Sequence, residues 1–431
     1  MPDHDVRMRG FRERTDLESA LEVLRSCVGP LEEESVPLLQ AMGRTLARDI
    51  ISTRDVPSFD KSAMDGYALR AAETFGASPT DSIPFRLMGE IFPGDAGDLE
   101  GRPGELGAPE AEPGEVGALE VGPGEAVRIM TGGALPGGAD AVLMAEYATD
   151  DGHVVLAHAP VVPGRNVARA GEDIRKGEKV LERGRILRPQ DLGVLASIGM
   201  VEPKVTRRPV VGIISTGSEL VEPESPLVGR RGRVVNSNRY LLEGLVTQTG
   251  GEALWLGIIP DDREALHTAL EAFHGDILLT TGATSVGKED YLPGLLAELG
   301  ELLVHGVNIR PASPLAFGRL GKALVVLLPG NPVATMVGFD VFVRPALQLQ
   351  LGQREERWNR RVRGRLRRKL ASALNRTDFA RVRLVGNGEV EPLRSGGAGV
   401  LTSVTRADGF VIVPRDVEGF EAGTEVEVYL Y

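Results

Sequence analysis

At 431 residues the chain exceeds the roughly 250 to 300 residues that one hydrophobic interior spans, so several domains are expected. Hydrophobic residues at 42% and charged residues at 26% exclude a disordered chain, and a formal net charge of -12 speaks against nucleic acid, whose phosphates need a cationic surface. Cys27 is the only cysteine, which rules out an intrachain disulfide and a thiolate metal cluster and fits a reducing compartment. The segment Met1 to Arg14 is polar, and no later run offers about 18 uninterrupted apolar residues, so no membrane is expected and the cytoplasm is the expected location.

In chain order, Leu17, Ala20, Leu21 and Leu24 recur at helical spacing behind Thr15 or Asp16, either of which suits a helix start. That helix and the extended chain after it, residues 11–54, are expected to join residues 161–207 in a scaffold domain; the second stretch has its own helical pattern around Leu192 to Ile198. Residues 55–160 break into short runs between Gly and Pro, among them Ala126 to Met130 and Ala141 to Glu146, and predict a β-rich domain. Within it, Pro103-Gly104-Glu105, Pro113-Gly114-Glu115 and Pro123-Gly124-Glu125 repeat with a ten-residue period. Such a composition buries too little apolar surface to offset ordering entropy, so a disordered acidic loop is expected near 95–122.

Residues 208–350 alternate between two patterns. Apolar runs at Val210 to Ser215, Ala253 to Ile259, Asp276 to Thr281 and Ala323 to Leu328 are followed by helical segments at Asn238 to Thr247, Asp262 to Phe273, Tyr291 to Leu299 and Val333 to Gln350. Strands buried on both faces and joined through helices predict a doubly wound α/β domain with a parallel sheet. Beyond it, residues 351–431 hold alternating segments at Phe379 to Val385, Phe410 to Val413 and Glu425 to Tyr431, which predict a small β-barrel or sandwich. The fold class is therefore α/β plus β, in several domains.

In an open parallel sheet, ligands sit beyond the carboxyl ends of the strands, where loops and helix N-termini present N–H groups. Three such loops are rich in Gly, Ser and Thr: Thr216-Gly217-Ser218-Glu219, Gly282-Ala283-Thr284-Ser285-Val286-Gly287 and Pro329-Gly330-Asn331-Pro332. Any one of them reads as an ordinary turn; three on successive crossovers predict backbone amides at Gly217, Gly282 and Gly330 converging on one phosphate. Glu219, Asp261, Asp262 and Asp290 cluster at the same edge. Carboxylates there would repel a phosphate unless a divalent cation lay between, which predicts Mg²⁺ on Asp261 and Asp290; helix capping is the alternative for Asp262 and Asp290.

The motifs also carry a resemblance. Val56-Pro57-Ser58-Phe59-Asp60-Lys61-Ser62-Ala63-Met64-Asp65-Gly66, Arg128-Ile129-Met130-Thr131-Gly132, Gly171-Glu172-Asp173-Ile174, Ser215-Thr216-Gly217-Ser218-Glu219, Ser285-Val286-Gly287 with Asp290, and Leu328-Pro329-Gly330-Asn331-Pro332 run in order along the chain. Together they resemble the MoeA-type molybdopterin molybdenumtransferases, the family of the gephyrin E domain. The resemblance implies an elongated four-domain homodimer, with the active cleft between the α/β domain of one subunit and the β-domains of the other. It implies molybdenum cofactor biosynthesis, with adenylylated molybdopterin and molybdate as substrates, Mg²⁺ as cofactor, AMP released, and other cofactor-assembly proteins as partners. Carried over by motif, Asp65 and Thr131 would reach the cleft from the β-rich domain with Asp173 in support, while Glu219, Asp261 and Asp290 would serve pyrophosphate and metal. Thr216, Gly217, Ser218, Asn238, Gly282, Ser285, Gly287, Pro329, Gly330, Asn331 and Pro332 would cradle the pterin nucleotide, and Arg310, Ser313, Arg376 and Arg381 would meet an anion.

Several positions depart from the family pattern. Arg310-Pro311-Ala312-Ser313-Pro314 stands where the family has Lys-Pro-Gly-Lys-Pro, which exchanges an ammonium for a guanidinium fork and removes a second charge. Gly306 replaces another lysine, Ala334 a serine and Ala283 a glycine. Two readings follow: a working transferase, or a paralogue that binds the pterin nucleotide without turnover or takes a different oxyanion. The nine basic residues from Arg354 to Lys369 read as a solvated connector and barrel strand, and the six histidines show no zinc-ligand spacing.

Overall fold

The structure, a computed structural model, describes residues 14–94, 120–282, 291–353, 360–393 and 400–431. Two units share the chain: one holds residues up to Arg48, Arg183–Pro189 and Glu202–Tyr431, the other Asp49–Glu182 and Gln190–Val201. The stretch expected to form one scaffold domain is thus divided between them. Among the described residues no helix is long and apolar enough to cross a membrane.

Asp16 starts α1 (Leu17–Cys27) by accepting the Glu18 N–H at 3.1 Å, and Leu17, Ala20, Leu21 and Leu24 form the buried face of that helix. The smaller unit is built on β1 (Gly66–Leu69), β2 (Ile83–Ile91), β3 (Glu125–Ile129), β4 (Ala141–Met144), β5 (Ala148–Asp150) and β6 (Val154–Ala157). They form one sheet in the order β4-β1-β3-β2-β6-β5. Gly66 is required at the β1–β4 pairing, where a Cβ would lie 2.0 Å from the Leu143 carbonyl oxygen. Leu69, Phe85, Ala126 and Leu143 pack on one side, and Ile91, Val127, Ile129 and Val142 on the other. Most of the acidic repeat, residues 95–119, lies outside the described residues; Val121, expected within the loop, is fully buried in the second of these cores. The expected helix near Leu192 is α2 (Pro189–Ser197).

The larger unit contains β7 (Val210–Thr216), α3 (Ser237–Thr249), β8 (Glu252–Ile259), α4 (Arg263–Glu271), β9 (Ile277–Thr281), α5 (Leu292–Leu299), β10 (Glu301–His305), β11 (Ala316–Leu320), β12 (Ala323–Leu328), α6 (Pro332–Gly338) and α7 (Arg344–Gln350). The sheet order is β8-β7-β9-β12-β11-β10. The first four strands are parallel as expected, while β11 and β10 add an antiparallel edge. Sequence pattern alone hid that edge because Gly300 stands immediately before β10 and Gly318 interrupts β11. Each sits where a Cβ would come within about 2 Å of a neighbouring carbonyl oxygen. The expected single helix after β12 is continuous but passes through a π turn at Phe339–Val343, all of it buried.

Helices cover both faces of this sheet. Leu242 and Val246 of α3 pack with α1, α6 and α7 on one face, against Val211, Ile213, Ile277 and Leu279. Leu266, Leu270, Leu292 and Leu295 of α4 and α5 pack on the other, against Ile214, Leu278 and Val325. Neighbouring strands β7 and β9 therefore send their following helices to opposite faces, which opens a crevice at their carboxyl ends.

Past α7, β13 (Arg361–Leu366), β14 (Thr377–Leu384), β15 (Glu389–Pro392), β16 (Gly409–Val413) and β17 (Glu425–Leu430) pair in the order β14-β15-β13-β17-β16 and close back onto β14. The expected barrel is thus a closed five-stranded one. Leu366, Val382, Val390, Val411, Val413 and Val428 form its core. Phe379 and Phe410 join the α/β core instead, and Ile309-Arg310 pairs in parallel with Thr377-Asp378, so barrel and α/β domain are joined edge to edge.

Candidate functional site

The carboxyl ends of β7, β9 and β12 lie level, with Ser215 opposite Thr281 and Thr281 opposite Leu328. Beyond them opens a hollow of about 640 Å³, lined by Thr216, Glu219, Asn236, Asn238, Gly282, Pro329, Gly330, Asn331, Pro332 and others. The turns close on one another because side chains are missing where they meet. A Cβ on Gly282 would lie 2.6 Å from the Thr216 carbonyl oxygen, and one on Gly330 would lie 3.5 Å from Gly282 Cα. Polar side chains then fix the wall: Thr281 Oγ1 donates to Ser215 Oγ at 3.3 Å, Ser215 Oγ to Asn236 Oδ1 at 3.0 Å, and Asn238 Nδ2 to the Gly330 carbonyl at 2.8 Å.

The expected convergence of glycine amides needs correction. The Gly217 N–H donates to the Ile259 carbonyl at 3.4 Å and the Gly282 N–H to the Leu328 carbonyl at 3.1 Å, so both prolong the sheet ladders beyond the strand ends. Gly217 and Ser218 stand beside the hollow rather than in its lining. Asp261 stands with them, its Oδ2 accepting the Ser218 N–H at 3.4 Å. Asp262 caps α4 through the Ala265 N–H at 2.9 Å, which is the capping alternative. Ser285, Gly287 and Asp290, together with Ala283, lie outside the described residues. Among the described residues no group of three or more His, Cys, Asp or Glu could hold a metal ion.

A second cavity, about 770 Å³, opens between the α/β edge and the barrel and shares Pro314, Pro329 and Asn331 with the first. Arg310, Ser313, Arg376 and Arg381, expected near an anion, all line it, and so do Arg368, Lys369, Ala334 and Asp378. Arg310 pairs with Asp378, whose Oδ2 also accepts from Ser372 Oγ at 3.0 Å. Arg381 is only 7% exposed and its Nε has no partner; burial holds this guanidinium below the usual arginine pKa, with Tyr431 and Asp378 acting the other way. A buried cation with unmet donor capacity is costly unless an anion satisfies it. Ser313 turns its hydroxyl onto the Val307 carbonyl at 3.0 Å, and Ala312 holds φ +78 where the related motif has glycine.

In the smaller unit, Asp65 and Thr131 meet directly. Asp65 Oδ1 accepts both the backbone N–H and the hydroxyl of Thr131 at 2.7 Å, and these bonds hold the exposed carboxyl below the usual range. Asp173 is exposed on a segment whose backbone pairs with Val56, and no hydrogen bond among the described residues ties its side chain to Asp65 or Thr131. Sequence reasoning missed Asn236, Asp378, Arg368 and Lys369. The last two belong to the run read as a solvated strand, and much of that run does pair with surface acids, Arg367 with Glu389 at 3.2 Å and Arg361 with Glu427 at 3.4 Å. Only the barrel's closure turns Arg368 and Lys369 toward the cavity.

A glycine-walled hollow at the switch point of a doubly wound sheet, beside a cation-lined cavity under a closed barrel, defines a multidomain α/β protein whose pockets lie at the strand ends and under the barrel. The chain belongs to the MoeA family, the molybdopterin molybdenumtransferases. Residues 15–199 match the MoeA N-terminal region (domain I and II), 212–349 the family described as Probable molybdopterin binding domain, and 363–431 the MoeA C-terminal region (domain IV). A molybdopterin biosynthesis protein of Methanocaldococcus jannaschii is 38% identical over 92% of this chain and 92% of its own length. The molybdopterin molybdenumtransferase of Haemophilus influenzae is 33% identical over 93% and 94%. The crystal structure of the molybdopterin biosynthesis MoeA protein of Pyrococcus horikoshii superposes with a TM-score of 0.82 at 34% identity, covering 97% of this chain and 99% of that one.

Proposed function

We propose that the protein inserts molybdenum from molybdate into adenylylated molybdopterin, cleaving the phosphoanhydride to release AMP. The observation that carries this reading is the common wall of the two cavities: Pro314, Pro329 and Asn331 belong to both. The strand-end hollow, with the Asn236 and Asn238 side chains and the Gly282 and Gly330 turns in its lining, suits the pterin nucleotide. The adjoining cavity, with Arg310, Arg376 and Arg381, suits a tetrahedral oxyanion delivered beside it. In this reading Asn238 and the Gly282 and Gly330 turns bind and orient the nucleotide, Arg310 and Ser313 face the oxyanion, and Arg381 supplies a preorganised buried charge.

The acids at the hollow fit a magnesium ion held partly by phosphate oxygens, since Glu219 lines the hollow and Asp261 stands at its rim, both hard oxygen donors. Asp261 and Asp290 would hold Mg²⁺, which when bound neutralises charge on the anhydride oxygens. We further propose a homodimer, in which Asp65, Thr131 and Asp173 complete the cleft from the second subunit. Incubating the protein with adenylylated molybdopterin, Mg²⁺ and molybdate and quantifying AMP tests the reaction. Stoichiometric AMP with molybdenum retained on the pterin is the expected result. Tight nucleotide binding with no AMP formed would overturn the transferase reading and leave a binding protein.

A further inference from the structure

The cavity under the barrel brings its own counter-ion. Among the described residues lining it, five are cationic, Arg310, Arg368, Lys369, Arg376 and Arg381, and one is acidic, Asp378. Lys369 pairs with Glu421, and Arg368 donates to the Pro392 carbonyl, so both are partly engaged elsewhere. Asp378 is 4% exposed, and its Oδ2 holds Arg310 Nη2 together with Ser372 Oγ. Arg310 is the one cation of the five that comes from the α/β side, from the same loop as Ser313 and Pro314 at the wall between the cavities. An oxyanion delivered to that wall meets a guanidinium whose Nη2 Asp378 already holds.

We propose that Asp378 is an internal competitor for Arg310: carboxylate and incoming oxyanion alternate on one guanidinium, so that Asp378 sets how tightly the oxyanion is held and how readily it leaves. This rests on the oxyanion-site reading above. Two effects of Asp378 oppose each other. By holding Arg310 it keeps the guanidinium aligned, a small contribution for a side chain 40% exposed. By occupying Arg310 it denies the guanidinium to an incoming oxyanion, and that competition is the larger effect, since it withholds a charge-assisted contact from the ligand. It also scales with ligand charge, which a purely structural role would not. Asp378 is thus a positioning and specificity residue, acting through Arg310 without touching the reacting atoms.

Equilibrium dialysis of the full chain with molybdate, a tetrahedral dianion, and perrhenate, a tetrahedral monoanion of similar size, tests this. Asp378→Asn is expected to bind molybdate at least tenfold more tightly and perrhenate with a smaller gain, and Arg310→Gln to bind molybdate at least tenfold more weakly. In the double variant the gain from Asp378→Asn should shrink severalfold, because there is no guanidinium left to release. Unchanged or weaker molybdate binding by Asp378→Asn, or equal gains for both anions, would overturn the proposal while the oxyanion site stands. No molybdate binding by any of these proteins would instead remove the site itself. Should Asp378→Asn fail to fold, the comparison of wild type with Arg310→Gln still decides: undiminished affinity in Arg310→Gln overturns the exchange.

Discussion

Gly282 and Asp65 show how much a single position can determine. At Gly282 the backbone takes φ +95 and a Cβ would press on the Thr216 carbonyl at 2.6 Å, so Gly282→Ala combines strain with a backbone clash. We expect about 1–3 kcal/mol lost in urea unfolding and a weakening of nucleotide binding, followed by fluorescence, that exceeds tenfold. Asp65 is held below the ordinary carboxyl range first by the Thr131 backbone N–H and then by its hydroxyl. A depressed acid contributes stability that is present above its unfolded pKa and disappears as pH falls through the folded one. Thr131→Val should therefore raise the Asp65 titration observed by carbon NMR toward its ordinary value, and an unmoved curve would show that the hydroxyl is idle. Asp65→Asn should cut AMP release by two orders of magnitude with the fold intact. Gly282 and Asp65 were legible in the sequence because each sits in a local motif. Asp378 was not, because its meaning depends on Arg310, 68 positions away, and no spacing rule connects a loop of one domain to a strand of another.

At the scale of elements, the helix after β12 carries a test in its π turn. Asp340 lies buried there, with Arg344 one turn on donating to its Oδ1 from Nε at 3.0 Å and Nη2 at 2.7 Å. Burial raises the Asp340 pKa, and Arg344 opposes the rise. Removing the cation strands a carboxylate in the core, so Arg344→Met should cost about 3–5 kcal/mol at neutral pH. The sign follows from the raised acid: protonation relieves it, so the deficit should shrink as pH falls and grow as pH rises through the folded pKa. Urea titrations at two pH values would read this, and a pH-independent deficit would mean that packing, rather than charge, is lost. Strands β7, β9 and β12 and their helices were legible because buried parallel strands read as unbroken apolar runs. The antiparallel β10–β11 edge was not, since glycines that permit close approach also erase the alternation that announces a strand.

For the whole molecule, the separate cores of the two units imply separate melting. Leu69, Phe85 and Leu143 pack in the smaller unit, while Val211, Ile277, Val326 and Phe342 pack in the larger. Calorimetry should show a calorimetric enthalpy exceeding the van't Hoff value, and a ligand of the strand-end hollow should shift the transition of the larger unit more than that of the smaller. A single two-state transition would contradict this. A return of the chain was expected in joining residues 11–54 with 161–207, but the points at which it crosses, after Arg48, Glu182, Pro189 and Val201, were not, because a crossing between units leaves no local mark. That return has a mechanical corollary. Thr15 is bridged to Val307, the Tyr431 N–H is bonded to the Asp408 carbonyl, and all four residues belong to the larger unit, so the smaller one is threaded in as an insert. Tension applied in an optical trap between handles at residues 16 and 430 cannot reach the insert until its host has been pulled open. The first rip should therefore release chain from the host alone, with the insert giving way afterwards.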